Sequence, residues 1–338
     1  MPKVSILIVN YNGRKFIVNC LKAIWRQSFK DFEIVIVDNG SCDGSLYEIR
    51  RFLEGTAKRS PSRPSVRLIH HEENLGFAGG NLSGLKYATG KYIALINGDA
   101  EPDEEWLGEL VKAMVIDQKV GICASKIIVY GNDVIDSAGD GFSTSLKGFK
   151  RGEGEAASLF KREEYVFGAC AGAALYRRKM IEEIGFFDED FFLIHEDTDL
   201  NYRAQSHGWK TLYMPTAIVY HRVRSSIGHM SDMAVYYTLR NSELVRIKNI
   251  PLGVLIRCFP DFLIGALTEF LYFAIKYKRL KLYFKAKKDT IAILPRMLKK
   301  REAMMKSRKV SNEYLLTIMT SVWQKDFLQT KIKKFLRA

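Results

Sequence analysis

Cysteine is scarce in this chain and spaced unsuitably for structural use. Cys20, Cys42, Cys123, Cys170 and Cys258 form an odd set without a CxxC pair, which argues against a disulfide framework or a zinc ribbon and for a reducing compartment. No GxGxxG follows the first apolar run, and no GxxxxGK[ST] occurs, which counts against a dinucleotide oxidoreductase and a P-loop NTPase. Neither a charged leader nor a small-residue cleavage site precedes the apolar residues 4–9, so no secretory signal is expected. Long uninterrupted apolar runs are missing too. Residues 252–275 are strongly apolar, but Arg257, Pro260, Asp261 and Glu269 break them into pieces too short to span a bilayer comfortably. Acidic residues are rare at the C-terminal end, where residues 276–338 carry 19 Lys and Arg against 4 Asp and Glu. The net charge of +14 therefore belongs to the tail, and the first 275 residues, with 33 basic and 34 acidic side chains, are close to neutral. A tail of that kind fits an anionic partner: lipid headgroups, nucleic acid or an acidic protein.

The whole chain, 338 residues at 47% hydrophobic, can bury at least one large core. Strand-like runs at 4–9, 33–37, 66–69 and 92–96 alternate with helix-period segments at 14–27, 45–58, 79–89 and 104–116. This alternation predicts a mostly parallel sheet with helices on both faces and ligands at the carboxyl ends of the strands. Three strands end in polar residues: Asn10-Tyr11-Asn12-Gly13, Asp38-Asn39-Gly40-Ser41 and Asn97-Gly98-Asp99. Those loops are the expected site. Residues 59–64 read as a surface linker, 120–130 and 134–137 as a hairpin turning at Gly131-Asn132-Asp133, and the Gly- and Ser-rich 139–155 as a mobile loop over the site. A strand at 173–176 and short helices at 179–184 and 197–207 follow, the last stopping at Gly208.

Phe191 to His221 carries the densest chemistry. An apolar run delivers Glu196, Asp197 and Asp199 to a helix start, and the strand pattern Ala217-Ile218-Val219-Tyr220 ends on His221. Adjacent carboxylates after an apolar run either cap the helix, where negative charge suits the macrodipole, or supply a general base. With Asp99 and the strand-end His221 they point to a divalent metal and general-base site. Asp38 suits a base N–H or a ribose hydroxyl, and Asp43 suits turn and cap chemistry. The Gly-rich turn Asn74-Leu75-Gly76-Phe77-Ala78-Gly79-Gly80-Asn81 offers amides to phosphate or ribose oxygens. Past residue 230 the pattern turns helical and basic. It fits an interfacial or re-entrant attachment to an anionic leaflet, a buried helical subdomain with a basic face, or a single span at 252–275.

VSILIVNYNG, DNGSCDGS, NLGFAGGN, Asn97-Gly98-Asp99, GAALYRR, IGFFDEDFFLIHEDTDL and AIVYH, in this order, resemble the family 2 inverting glycosyltransferases of GT-A fold, in particular the rhamnosyltransferase-like branch, over residues 3–245. The resemblance implies a GT-A domain at 1–230 with a mixed, mostly parallel sheet, and the helical, basic residues 231–338 read by their composition as a membrane-associating region. The resemblance assigns Asn10 and Asp38, with Asn74, Gly76 and Asn81, to the nucleoside of a UDP- or dTDP-sugar. It assigns Asp99 and His221 to Mg2+ or Mn2+, Asp197 to the general base with Glu196 beside it, and Arg240 with Asn241 to the diphosphate or acceptor. Asn97 stands where many relatives carry an acid, and as a weaker metal ligand it is expected to bind ribose instead. The resemblance implies a nucleotide-sugar donor as partner; the tail adds the expectation of a lipid-linked or polymeric glycan acceptor and of attachment to the cytoplasmic face of a membrane, held peripherally or monotopically, with no nucleic acid. A non-catalytic nucleotide-sugar-binding or scaffold protein on the same fold is the alternative.

Overall fold

The computed structural model describes residues 2–57, 64–222, 230–325 and 327. Most of the expected linker at 59–64 lies outside the described residues. The predicted strands form the centre of a 10-stranded sheet. In space it runs Glu164–Val166, Lys210–His221, Val120–Val129, Ala173–Arg177, Tyr92–Ile96, Val4–Asn10, Phe32–Asn39, Val66–His71. Val4–Asn10 pairs in parallel with both Phe32–Asn39 and Tyr92–Ile96, so Asn10 sits opposite Asp38. Ala173–Arg177 runs antiparallel to both its neighbours, Tyr92–Ile96 and Val120–Val129, and Glu164–Val166 pairs antiparallel with Lys210–His221 at the edge. Mixed sheets of this kind stay buried on both faces when helices cover them.

Strand alternation sorts the core. Ile6, Ile8, Ile34, Ile36 and Ala94 face one way, onto the helices Ile17–Trp25 and Trp106–Ile116. Leu7, Val35, Ile93 and Leu95 face the other, with Met180, Leu200 and Ala204 of the helices Arg178–Ile184 and Glu196–Ser206. The helices begin at Ile17 rather than residue 14, and at Gly76 rather than residue 79.

The expected hairpin forms, Val120–Val129 pairing antiparallel with Ile135–Ala138 through a turn at Gly131, whose φ is +75°. The expected mobile loop at 139–155 does not. Asp140–Phe142 and Gly148–Lys150 pair as a second small sheet, and Phe142 and Leu146 are buried in a third core. Two apolar side chains among the glycines give this segment something to bury, and glycines supply its turns rather than mobility.

That third core also takes Phe191 and Tyr202 from one side and Leu244, Val254, Met297 and Leu315 from the C-terminal helices. Those helices are Asp232–Asn249, Leu252–Phe270 continued by a π-turn over Leu271–Lys276, Leu280–Ala292, Leu294–Ser307 and Asn312–Ile318. Among the described residues no helix is long and apolar enough to cross a membrane.

Candidate active site

The first strand ends on Asn10, whose Nδ2 donates to Asp38 Oδ1 at 2.9 Å, Ser41 Oγ at 3.0 Å and Ser45 Oγ at 2.9 Å. Asp38, fully buried, turns its other oxygen to His70 Nδ1 at 3.0 Å. The parallel register that sets residue 10 beside 38 thus welds two of the three predicted loops. Asn10 Oδ1 is left over, buried without a partner among the described residues. A Cβ on Gly13 would collide with it, so the space before this acceptor exists because residue 13 is glycine. Asp43 does what a turn residue does, accepting from the amides of Arg14 and Ser45 at 2.9 Å each.

The third loop is tied to the sheet's far half. His221 pairs with Ala100 across the Lys210–His221 strand. Its Nε2 lies 3.2 Å from Asp99 Oδ1, and its Nδ1 lies 2.9 Å from Asp136 Oδ2. Asp136 in turn takes Lys150 Nζ at 2.7 Å. Burial opposes a charge on His221, and hydrogen bonds to Asp136 and then Asp99 outweigh it, lifting the imidazole to about 9. Burial likewise pushes Asp136 up, but His221 and Lys150 hold its carboxyl below the usual range. Asp136 and Lys150 were not singled out from sequence. An acid inside the segment 134–137, expected to be a strand, was the available signal for Asp136, and Lys150 had none.

Among the described residues no group of three or more His, Cys, Asp and Glu is arranged to hold a metal ion. Asp99 and His221 nevertheless fit a cation shared with a diphosphate, because such ions take one or two protein ligands and complete their shell with phosphate and water. A cation bound at this pair takes the place of the proton between the two side chains. The backbone N–H of Asn97 donates to Gly172 O at 2.9 Å, which fixes the chain at the start of this loop.

The carboxylate pair is split by its surroundings. Asp197 is half-buried, and its Oδ2 accepts from Ala171 N at 3.3 Å. Since Gly172 binds Asn97, the 170–172 turn joins the Asp197 loop to the Asp99 loop. Glu196 is buried, its Oε2 without a partner among the described residues, and burial first, then the charge of Asp197, drives its carboxyl well above the usual value. Asp140, which sequence reading passed over, is pushed to about 8 by burial and by Asp197.

What holds this pair in place is the preceding loop. Phe192, Ile194 and His195 all have positive φ, at 61°, 66° and 70°, a conformation that is strained for non-glycine residues and needs outside support. Asn241 supplies it, its Nδ2 lying 2.7 Å, 2.8 Å and 2.7 Å from the carbonyls of Phe191, Leu193 and Ile194. Arg240 Nη1 donates to Asp190 O at 2.9 Å. Asp199 is a buried clamp, accepting from Arg203 and Lys248 at 2.9 Å each and from Asn249 at 2.8 Å. Burial raises its carboxyl, and Arg203 and Lys248 outweigh that and keep it below the usual value.

The Gly-rich turn serves the same loop. Gly76 has φ +73°, and a Cβ there would lie 2.6 Å from the Phe192 ring and closer still to its carbonyl oxygen. Ala78 N donates to that oxygen at 3.0 Å. Asn74 Oδ1 takes Asn39 Nδ2 and Gly76 N at 2.9 Å each, and Asn81 Nδ2 donates to Phe77 O at 2.9 Å. The hydrogen bonds of Asn74, Gly76, Asn81 and Arg240 recorded here are thus made to the protein itself. Asn39, unremarked in the sequence, is the hinge pin of the turn.

The family model for glycosyl transferase family 2 matches residues 5–185. The chain is 26% identical over 242 residues to the amylovoran biosynthesis glycosyltransferase AmsB of Erwinia amylovora, covering 70% of this chain and 75% of that one. It is 22% identical over 313 residues to the dolichyl N-acetyl-alpha-D-glucosaminyl phosphate 3-beta-D-2,3-diacetamido-2,3-dideoxy-beta-D-glucuronosyltransferase of Methanococcus voltae, covering 88% and 93%. Among solved structures, residues 1–349 of S. aureus TarS in complex with UDP-GlcNAc match with a TM-score of 0.57 at 17% identity, covering 88% of this chain and 83% of that one. The mannosyltransferase of Pyrobaculum calidifontis in complex with GDP-Man and Mn2+ matches with a TM-score of 0.51 at 18% identity, covering 94% and 79%. The structural likenesses carry the GT-A fold. The family match spans more than half of the chain, and the chain belongs to glycosyl transferase family 2.

Proposed function

We propose that the protein moves a hexosyl or rhamnosyl group, with inversion, from a UDP- or dTDP-sugar to a hydroxyl of a lipid-linked saccharide or growing glycan. The observation that carries this reading is the 170–172 turn. Its Ala171 amide donates to Asp197 and its Gly172 carbonyl accepts from the Asn97 backbone amide, which supports reading the half-buried carboxylate and the Asp99 loop as parts of one site. The solved neighbours in complex with UDP-GlcNAc and with GDP-Man and Mn2+ support a nucleotide-sugar donor and a divalent ion.

In this reading Asn10 Oδ1, the unpartnered buried acceptor, receives an N–H or O–H of the nucleoside. Asp99 and His221 hold Mg2+ or Mn2+, which when bound neutralises charge building on the departing diphosphate. Asp197 accepts the proton of the acceptor hydroxyl as its oxygen bonds to the anomeric carbon from the face opposite the leaving group. The bond from that carbon to the phosphate oxygen breaks, and its electron pair leaves with the nucleoside diphosphate. Glu196, sealed off and drawn toward its protonated form, is the poorer base of the two.

The test is a screen of UDP-, dTDP- and GDP-sugars with Mn2+, Mg2+ or EDTA, using Asp197→Asn and Asp99→Ala. Metal-dependent binding of one donor is expected, with turnover in Asp197→Asn down by about 10²–10⁴ and donor binding kept. Donor binding without any turnover in the unaltered protein, across lipid-linked and polymeric acceptors, would favour the non-catalytic alternative.

A further inference from the structure

The helix Leu252–Phe270 is apolar on two faces. A surface helix of a water-soluble protein turns one apolar face to the core and a polar face to solvent. Here Val254 and Cys258 are buried in the third core, with Leu255 and Phe262 packed against it, and the acids of the helix lie on this docked side as well. Asp261 accepts from Thr144 Oγ1 and, at 2.9 Å, from Trp323 Nε1. Glu269 meets Lys147 Nζ at 2.5 Å and Lys287 Nζ at 3.2 Å. Between them Gly265 runs so close to the 143–145 turn that an added Cβ would come 2.7 Å from Ser145 Cβ. The outward face reads Leu252, Ile256, Phe259, Leu263, Leu267, Leu271, each 46–66% exposed. At 100° per residue these positions fall within an arc of ~120°, and Asp261, Gly265 and Glu269 fall opposite. A continuous apolar stripe of this length, about 28 Å at 1.5 Å per residue, is larger than the scattered apolar residues an ordinary surface carries.

We infer that this stripe is the protein's membrane-docking face and that it lies flat in an anionic lipid leaflet, as at the cytoplasmic surface of a cell membrane. Charge selects the occupant. Residues 276–338, which follow the stripe, carry 19 basic against 4 acidic side chains, and Lys278, Lys281 and Lys288 are exposed directly after it. The next helix adds exposed Leu280, Phe284 and Ile291. Basic side chains flanking an outward apolar face are the composition of an interfacial helix on anionic lipid. A second copy of the chain on the same face would bring two strongly cationic regions together and is disfavoured by that repulsion. A span is excluded for this helix, whose acids are already committed to the protein. This surface stands independently of sugar transfer.

The test is flotation of the full chain with phosphatidylcholine vesicles, with and without phosphatidylglycerol, in the absence of any nucleotide sugar. The unaltered protein is expected to float with the anionic vesicles, and Leu263→Gln/Leu267→Gln to lose at least about tenfold of that binding with an unchanged thermal transition, since both side chains are exposed. Lys278→Glu/Lys281→Glu is expected to remove the preference for anionic over neutral vesicles. The inference is overturned if the protein does not float, or if the double glutamine variant floats as before. It is also overturned if sedimentation gives a doubled mass that this variant abolishes while no vesicle binding is seen, which would assign the stripe to a second copy.

Discussion

Replacing Gly76 by alanine separates two roles that the structure gives that residue, and Gly131 provides the control. Both glycines have a φ near +75°, but nothing lies within 4 Å of a Cβ at Gly131, whereas a Cβ at Gly76 meets the ring and carbonyl of Phe192. Gly131→Ala therefore imposes only left-handed strain, about 1–2 kcal/mol. Gly76→Ala adds a steric displacement of the kind that costs about 1–3 kcal/mol in packed interiors, for a sum of about 2–5 kcal/mol. At roughly 2 °C per kcal/mol for a chain of this size, the expected falls in Tm are about 2–4 °C for Gly131→Ala and about 4–10 °C for Gly76→Ala. The activity contrast is sharper. The displaced carbonyl belongs to the loop that delivers Glu196 and Asp197, and a shift near 1 Å in a reacting group can cost about 10²-fold in rate. Thermal unfolding of both variants, with turnover measured well below the Tm of each, makes the comparison. Equal Tm and equal turnover in the two variants would refute the idea that Gly76 is there to admit the Phe192 loop.

Other substitutions probe separate supports. Asp136→Asn should weaken Mn2+ binding in the presence of nucleoside diphosphate by about 10–100-fold, read by titration calorimetry, because His221 loses the carboxylate that orients its ring. For Glu269, burial raises the carboxyl, but Lys147, then Arg246 and Lys287, outweigh it and bring it from 4.5 to about 2. A depressed carboxyl stabilises the fold above its unfolded value, so a contribution of about 3 kcal/mol should vanish as pH falls from 4.5 to about 2. Urea unfolding of Glu269→Gln should show that part of the acid limb flattened. Glu196 has the opposite sign. Its carboxyl is raised, so ionisation opposes folding as pH climbs past the ordinary carboxylate range, and Glu196→Gln should gain stability over the unaltered protein between pH 5 and pH 8. A gain that is the same at both pH values would count against the raised carboxyl.

The parts of the fold legible in the sequence are those set by local pattern. Val4–Asn10 and Tyr92–Ile96 declare themselves as short apolar runs closed by asparagine, and a parallel sheet must then place their ends on one edge. The Glu196–Asp197 pair is legible for the same reason, since two acids at the start of an amphipathic segment need an explanation. Partnership across long separations was not legible. Asn74 and Gly76 have the composition of a phosphate-binding turn, but the acceptor that Ala78 finds is Phe192 O, more than a hundred residues away. Lys150 sat in a segment rich in glycine and serine, and only the pairing of Asp140–Phe142 with Gly148–Lys150 points it at Asp136. The outward stripe of Leu252–Phe270 was not legible for a more general reason. A segment apolar nearly all round shows that much of it is covered and is silent about which side the protein itself covers.

One set of helices now links the site to the proposed docking surface. Asn241 and Lys248, on Asp232–Asn249, hold the strained loop and the Asp199 clamp behind Glu196 and Asp197. Glu243 and Arg246 on the same helix meet Lys287 and Glu269, and Glu269 anchors the helix whose outer stripe faces away from the protein. The carboxylates and the stripe are thus fixed to one rigid frame of buried ion pairs, with no linker between them. An acceptor carried on a lipid would then be presented at a height and angle set by the fold, because tilting the stripe requires moving the helix whose Asn241 holds the loop before Asp197. Breaking a buried pair in that frame leaves an uncompensated charge, and on this argument its effects should appear in both catalysis and lipid binding, whereas changes to the exposed leucines should appear in lipid binding alone.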